Sequence, residues 1–319
     1  MSKALISFFF VLAAAAAGIS QVPSGFTESD IKRADARPAS GFAYPYYLYV
    51  PPDVKAAKRT THTILVLPNN TGKPDDDFGV HEADVKRRML SAVGIASALK
   101  VAVLMPVFPR PATDWQLYMH ALDRDSMLTD KKEYRRPDLQ LVRMIDDARG
   151  KLKNEGLAFD KRVLVNGFSA SGMFTNRFTF LHPHRVKAAA IGSPGGWPIV
   201  PAASYKDKTL RYPIGVADLA DVAGRKLDLK ALRRVPLFIF LGDQDENDSV
   251  PFDDSYDQED RELMTPLLGK MPVDRWEIAK SLYKDAGLNA EFKLYPGVKH
   301  SVSPEMREDI RRFFLKYVQ

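Results

Sequence analysis

Short apolar runs alternate with stretches of helical periodicity along most of the chain. Residues 42–50 read as an aromatic strand closed by Pro51 and Pro52, and residues 61–67 as a mostly apolar strand stopped at Pro68-Asn69-Asn70-Thr71-Gly72. Val85, Met89, Val93 and Ala96 fall on one helical face and lead into a third strand at 101–105. Leu141, Met144, Ile145, Ala148 and Leu152 recur at helical spacing, with Asp138 placed to cap that helix and Gly156 to end it. Strands at 162–166, 187–191 and 235–241 follow, the first two separated by a helix that starts near Gly172. A helix over 272–286, with Pro in a tolerated early position, a strand at 291–295 and a helix over 305–318 close the chain. The last helix carries Met306, Ile310, Phe313, Phe314 and Tyr317 on its apolar side.

Short apolar strands alternating with helices predict an α/β fold, a mostly parallel central sheet with helices on both faces, because such strands must be buried on both sides. Residues 21–40 form a polar lead, and three stretches without a clean period, near 106–137, 193–234 and 253–271, read as irregular inserts in a single domain spanning 21–319. The first twenty residues stand apart. Lys3 is followed by an apolar run from Ala4 to Ala17 broken only by Ser7, and Gly18-Ile19-Ser20 has the small residues of a cleavage site. The run is short for a bilayer span of about 20 apolar residues. Residues 1–20 are therefore expected to be a signal peptide, the mature chain to be secreted or periplasmic, and no stable membrane span to remain after its removal.

Charge and cysteine content narrow the chemistry. The formal charge is +6, but 46 basic and 40 acidic residues are interleaved, without the basic stripe that nucleic-acid binding requires. No nucleic-acid partner is expected. The absence of cysteine removes a thiol nucleophile, a Cys-based zinc site and disulfide stapling, and neither a cofactor nor a metal is expected.

In open parallel sheets ligands sit beyond the carboxyl ends of the strands, and three loops there carry complementary groups. Gly167-Phe168-Ser169-Ala170-Ser171-Gly172 joins a strand to a helix, so Ser169 can stand exposed on a tight turn, with the Ala170 N–H and the helix N-terminus available to an oxyanion. Ser171 is a rival hydroxyl two residues on. The loop Gly242-Asp243-Gln244-Asp245-Glu246-Asn247-Asp248 supplies a carboxylate to orient a base; Asp245 is preferred and Asp248 stands second. Its alternation of Asp243, Asp245 and Asn247 also resembles a calcium loop, but the sixth position is not Gly and the twelfth is Asp254 rather than Glu. Of six histidines only His300 follows both loops, and the order Ser, Asp, His is the α/β-hydrolase order.

On those residues, with Tyr295-Pro296-Gly297-Val298-Lys299-His300, the chain resembles the α/β-hydrolase superfamily, and within it secreted esterases of the polyhydroxyalkanoate depolymerase and feruloyl esterase type. The resemblance implies an acyl-enzyme mechanism on a small-molecule or polymeric ester, plant cell-wall ester and polyester included. Such enzymes often carry His-Gly after the strand ending near Pro68; here Asn69-Asn70 takes its place. By position the Asn70 N–H is the second oxyanion donor, and the asparagine side chains either add a donor or merely form the turn. Trp115, Tyr118, Trp197 and Tyr212 are candidates to stack on substrate, Trp197 foremost because Gly195-Gly196-Trp197-Pro198 lies beyond a strand end. Two other readings share the triad or the fold: a serine peptidase of the prolyl-oligopeptidase type, whose usual propeller has no counterpart here, and a catalytically silent binding module.

Overall fold

The computed structural model describes residues 23–57 and 60–318, so the expected signal peptide at 1–20 lies outside the described residues. Eight strands form one sheet in the order β1 (Ile31–Ala34), β2 (Tyr46–Tyr49), β4 (Ala102–Pro106), β3 (Ile64–Val66), β5 (Val163–Phe168), β6 (Val186–Gly192), β9 (Leu237–Gly242) and β10 (Ala290–Tyr295). The pairs β1–β2 and β2–β4 are antiparallel, and every pairing from β4 to β10 is parallel. Between the strands run α1 (Pro52–Ala56), α2 (Phe78–Leu99), α3 (Arg124–Leu128), α4 (Pro137–Asn154), α5 (Ala170–Leu181), α6 (Leu219–Ala223), α7 (Leu229–Leu232), α8 (Gln258–Leu268), α9 (Pro272–Asp285) and α10 (Pro304–Leu315). A two-stranded hairpin, β7 (Ser204–Tyr205) and β8 (Lys208–Thr209), stands apart from the sheet.

The period-2 geometry of the strands divides the core into two layers. Ile64, Val66, Leu104, Val163, Val165, Ile191 and Ile239 point to one face, where Leu141, Met144 and Ile145 of α4, Phe174 of α5 and Trp276 of α9 cover them. Leu65, Val103, Leu164, Ala190 and Phe240 point to the other, under Val85, Met89 and Val93 of α2 and Met306, Ile310 and Phe314 of α10. Both faces are thus buried, as the unbroken apolar runs require.

Several expectations are corrected. The polar lead contains β1, an edge strand with Lys32 and Arg33 exposed, held by pairing with β2 rather than by a hydrophobic stripe. The insert at 253–271 contains α8, and those at 106–137 and 193–234 contain α3, α6, α7 and the hairpin. Asp138 is not the cap of α4. Arg136 holds that position, and the Asp138 carboxylate is fully buried against the Arg136 guanidinium at 2.8 Å and His182 Nε2 at 2.8 Å. Gly156, at φ 83°, does lie just past the end of α4.

Asp123 caps α3, accepting the Asp125 and Ser126 N–H groups at 3.2 Å. Burial pushes its carboxyl up to about 7, against the opposing hydrogen bond from Ser126. A folded-state pKa above the unfolded value of about 3.9 gives a contribution that is complete below the unfolded pKa and lost as pH rises through the folded one. Asp123→Asn keeps a capping oxygen and cannot ionise. Its melting temperature relative to the parent chain is expected to rise between about pH 4 and about pH 7; a difference that does not change with pH contradicts the burial argument.

Candidate active site

β5 ends at Phe168 and α5 begins at Ala170, so Ser169 alone turns the chain from strand to helix. Its backbone lies at φ 62° and ψ −130°, a region that costs a residue with a Cβ of order 1–3 kcal/mol. The surroundings hold it there. Ser169 N–H donates to Gly192 C=O of β6 at 3.0 Å, and Ser169 C=O accepts Met173 N–H at 3.0 Å. Ser171 Oγ donates to Phe168 C=O at 2.8 Å and accepts Phe168 N–H at 3.0 Å, closing the turn from inside. The rival hydroxyl is therefore engaged in shaping the elbow. A Cβ on Gly167 would meet Ser171 C=O at 2.0 Å, and one on Gly172 would meet Gly192 C=O at 2.3 Å. Both glycines are required by close backbone approach.

The acidic loop after β9 separates its carboxylates. Asp243 accepts Gly297 N–H at 2.7 Å, and Asp248, partly buried, forms a two-pronged pair with the buried Arg275 at 2.8 and 2.9 Å. Asp245 faces His300: Nδ1 lies 3.0 and 2.9 Å from its two oxygens. Of the two acids left open by the sequence, Asp245 meets the imidazole and Asp248 does not. Burial raises the Asp245 carboxyl, but the His300 hydrogen bond and the Asn247 N–H outweigh it and hold the group below its ordinary range. The carboxylate is thus ionised where an imidazolium would form. Among the described residues no group of three or more His, Asp or Glu could hold a metal ion.

The His300 ring packs on Phe168, centroids 4.9 Å apart, which brings the histidine loop against the residue preceding Ser169. Among the described residues the ring's hydrogen bonds run to Asp245 and none reaches Ser169 Oγ; in ligand-free sites such bonds are commonly long and tighten with substrate. Ala170 N–H is the first of α5 and has no intrahelical acceptor. Asn70 is half-buried, its C=O accepts from Arg88, and its N–H has no hydrogen-bond partner among the described residues. The Asn69 side chain is not a free donor: Nδ2 donates to Phe108 C=O at 2.8 Å and Oδ1 accepts Phe108 N–H at 3.1 Å, wholly buried.

The aromatic candidates divide sharply. Trp197 is 1% exposed, with Nε1 donating to Ile214 C=O at 2.9 Å, so the expectation that it stacks on substrate is corrected: it anchors the insert that carries it. Tyr212 is likewise buried, its hydroxyl donating to Leu122 C=O. Tyr118 is nearly buried and its ring face is covered by the Arg110 guanidinium at 4.0 Å. Trp115 alone, at 46% exposure, offers a face to solvent. Sequence reasoning missed Arg110, which donates to Gly72 C=O and pairs with Asp254, and Arg275; both act across long separations that no local pattern marks.

No protein-family model matches the chain, and no curated protein matches it. Solved structures do. Poly(aspartic acid) hydrolase-1 from Sphingomonas sp. KT-1 is 19% identical, with a TM-score of 0.58 over 88% of this chain and 97% of that one. LpqC, a poly(3-hydroxybutyrate) depolymerase from Bordetella parapertussis, is 16% identical, with a TM-score of 0.56 over 91% of this chain and 95% of that one. A thermostable esterase is 17% identical, with a TM-score of 0.52 over 90% of this chain and 63% of that one. The chain has the α/β-hydrolase fold. At these identities the likeness shows the fold alone.

Gly172→Ala places a methyl group against backbone that cannot yield. It is expected to cost about 1–3 kcal/mol, read as a fall of several degrees in melting temperature. An unchanged melting temperature contradicts the close packing of α5 on β6.

Proposed function

We propose that the chain is a serine hydrolase of carboxylic esters. Ser169 is the nucleophile, His300 the base, Asp245 the orienting acid, and the Ala170 and Asn70 N–H groups the oxyanion donors. The observation that carries the reading is the His300 ring, held by both oxygens of Asp245 and packed on the residue that precedes the strained Ser169. With Asp245 fixing the proton on Nδ1, Nε2 is the nitrogen free to accept from a hydroxyl. His300 takes the Ser169 proton as Oγ attacks the ester carbonyl, and the two N–H groups receive the negative charge on the carbonyl oxygen. The proton passes to the leaving alcohol, and water, activated by the same imidazole, releases the acid and restores the serine. Trp115, the accessible aromatic, is the candidate contact for an acyl or polymer segment, and the apolar start of the chain favours export.

A second reading is amide rather than ester cleavage, favoured by the likeness to a poly(aspartic acid) hydrolase. A panel of p-nitrophenyl esters, methyl ferulate, acetylated xylan, polyester film and poly(aspartic acid) separates the two.

Ser169→Ala is expected to abolish turnover of p-nitrophenyl acetate and labelling by a fluorophosphonate probe. Labelling that persists in the variant removes Ser169 from its role, and a parent chain that never labels favours a silent binding module. Asp245→Asn is expected to lower kcat by roughly 10⁴-fold through the wrong tautomer of the base. Asp248→Asn, which breaks a structural pair, is expected to act mainly on stability. If the two variants exchange these effects, the acid is misassigned.

A further inference from the structure

His120 is fully buried in the stretch that follows β4, among Phe108, Asn69 and Thr71. Its two ring nitrogens have different partners. Nδ1 accepts Thr71 N–H at 3.3 Å, and Nε2 lies 2.6 Å from Phe108 C=O. An acceptor at Nδ1 and a carbonyl at Nε2 admit one protonation state, the neutral imidazole with its hydrogen on Nε2. Nε2–H and Asn69 Nδ2–H then converge on the same Phe108 oxygen, which accounts for the 3.0 Å approach of the two nitrogens as one between donors. Burial pushes the imidazole pKa down to about 3, and the nearby His81, Arg110 and Arg88 act in the same direction. Burial thus favours the neutral ring that the two partners already define.

Thr71 N–H and Asn70 C=O are the two edges of one peptide plane. His120 holds the first, and the Arg88 guanidinium donates to the second. On the other side of Asn70, the Asn69 side chain pairs with both backbone groups of Phe108. Asn70 is thus gripped before and after, while its own N–H is left without a partner among the described residues. A loop built from Asn-Asn-Thr has no glycine at these positions, and its direction is set by groups reaching in from α2 and from the stretch that follows β4.

We propose that His120 is a positioning residue for the oxyanion site: by holding the Asn70–Thr71 peptide it aims the Asn70 N–H at the oxygen that becomes charged when Ser169 attacks. The inference rests on the serine-hydrolase reading above. Interactions with that oxygen strengthen as charge develops, so loss of aim lowers kcat and leaves KM nearly unchanged. An uninvolved core histidine would affect stability and leave kcat per folded active site alone.

The test is steady-state kinetics with p-nitrophenyl acetate on the full chain, each variant normalised to its folded fraction by thermal melt. His120→Leu removes the acceptor and is expected to lower kcat about 10- to 100-fold, less than or comparable to deleting an oxyanion donor outright, with KM within about twofold. His120→Asn returns an oxygen near the place of Nδ1 and is expected to recover most of the loss. If His120→Leu does not fold, Arg88→Met releases the other edge of the same peptide from a partly exposed position and is expected to show the same loss in kcat. Wild-type kcat in a folded His120→Leu chain, or in Arg88→Met where the first is insoluble, overturns the proposal. Ser169→Ala run alongside keeps the two readings distinct: turnover that survives it defeats the hydrolase reading itself, whereas turnover that depends on Ser169 but ignores His120 and Arg88 defeats the positioning role alone.

Discussion

The backbone of Ser169, turned to φ 62° between a strand and a helix, is held by everything packed around it. A conformation that costs of order 1–3 kcal/mol persists only where its surroundings over-determine it. Here the determinants are backbone groups more than side chains. The Gly192 carbonyl lies at once over the Ser169 N–H and beside the place a Cβ would occupy on Gly172, so α5 rests directly on the end of β6. That contact requires β5 and β6 to run parallel and in register to their last residues, as they do from Leu164 and Ala188 to Phe168 and Gly192. The parallel sheet, buried under two helical layers, is the rigid body against which the turn is strained.

The acidic loop shows how a long-range partner chooses between chemically equal residues. Asp245 and Asp248 both follow β9, and nothing local distinguishes them as partners for a histidine. Arg275, nearly fully buried in α9, needs a carboxylate, and its two prongs take Asp248 while its other donors reach the Gly196, Gly269 and Lys270 carbonyls. A buried guanidinium left unpaired would cost several kcal/mol, so Asp248 is committed to joining α9 to the loop after β9. Asp245 is left to face His300, from a backbone turn that its own Oδ1 tightens by accepting Asn247 N–H.

Legibility in the sequence follows the range of the force concerned. Elements whose residues bury themselves by their own periodicity stood out: the five apolar positions named in α4 and the run of β9 are all buried, and α10 keeps Met306, Ile310, Phe313 and Phe314 inside. Ser169 and His300 stood out because strand and loop order restricts where a turn can expose a side chain. Elements held by pairing alone did not. β1 has two exposed cations and one buried residue, and it exists because β2 offers an edge. α8 carries Pro266 inside it, a local signal against a helix that burial of Asp260, Met264 and Leu268 overrides. Asp138 has the chemistry of a cap, yet the neighbouring Arg136 and a buried histidine brought in by the fold, His182, give it other partners. Trp197 misled for the same reason: glycine and proline around an aromatic describe an irregular backbone equally well at a binding surface and in a packed insert.

The loop after β3 joins these strands of argument. Where a glycine-containing loop can turn its amides by backbone freedom, one made of Asn-Asn-Thr must be shaped from outside, and the shaping groups are polar. Asn69 replaces a missing strand neighbour for Phe108, His120 accepts the Thr71 N–H, Arg88 donates to the carbonyl of the same peptide, and Arg110 donates to the carbonyl of Gly72. Arg110 is itself fixed by Asp254 and by the ring of Tyr118, so the insert after β4 and the segment leading to α8 both bear on the loop. The first insert is therefore a supporting wall for the site and not a detached excursion. Its buried Phe108, Met119, His120 and Leu122 back a turn that has no glycine between Asn69 and Thr71.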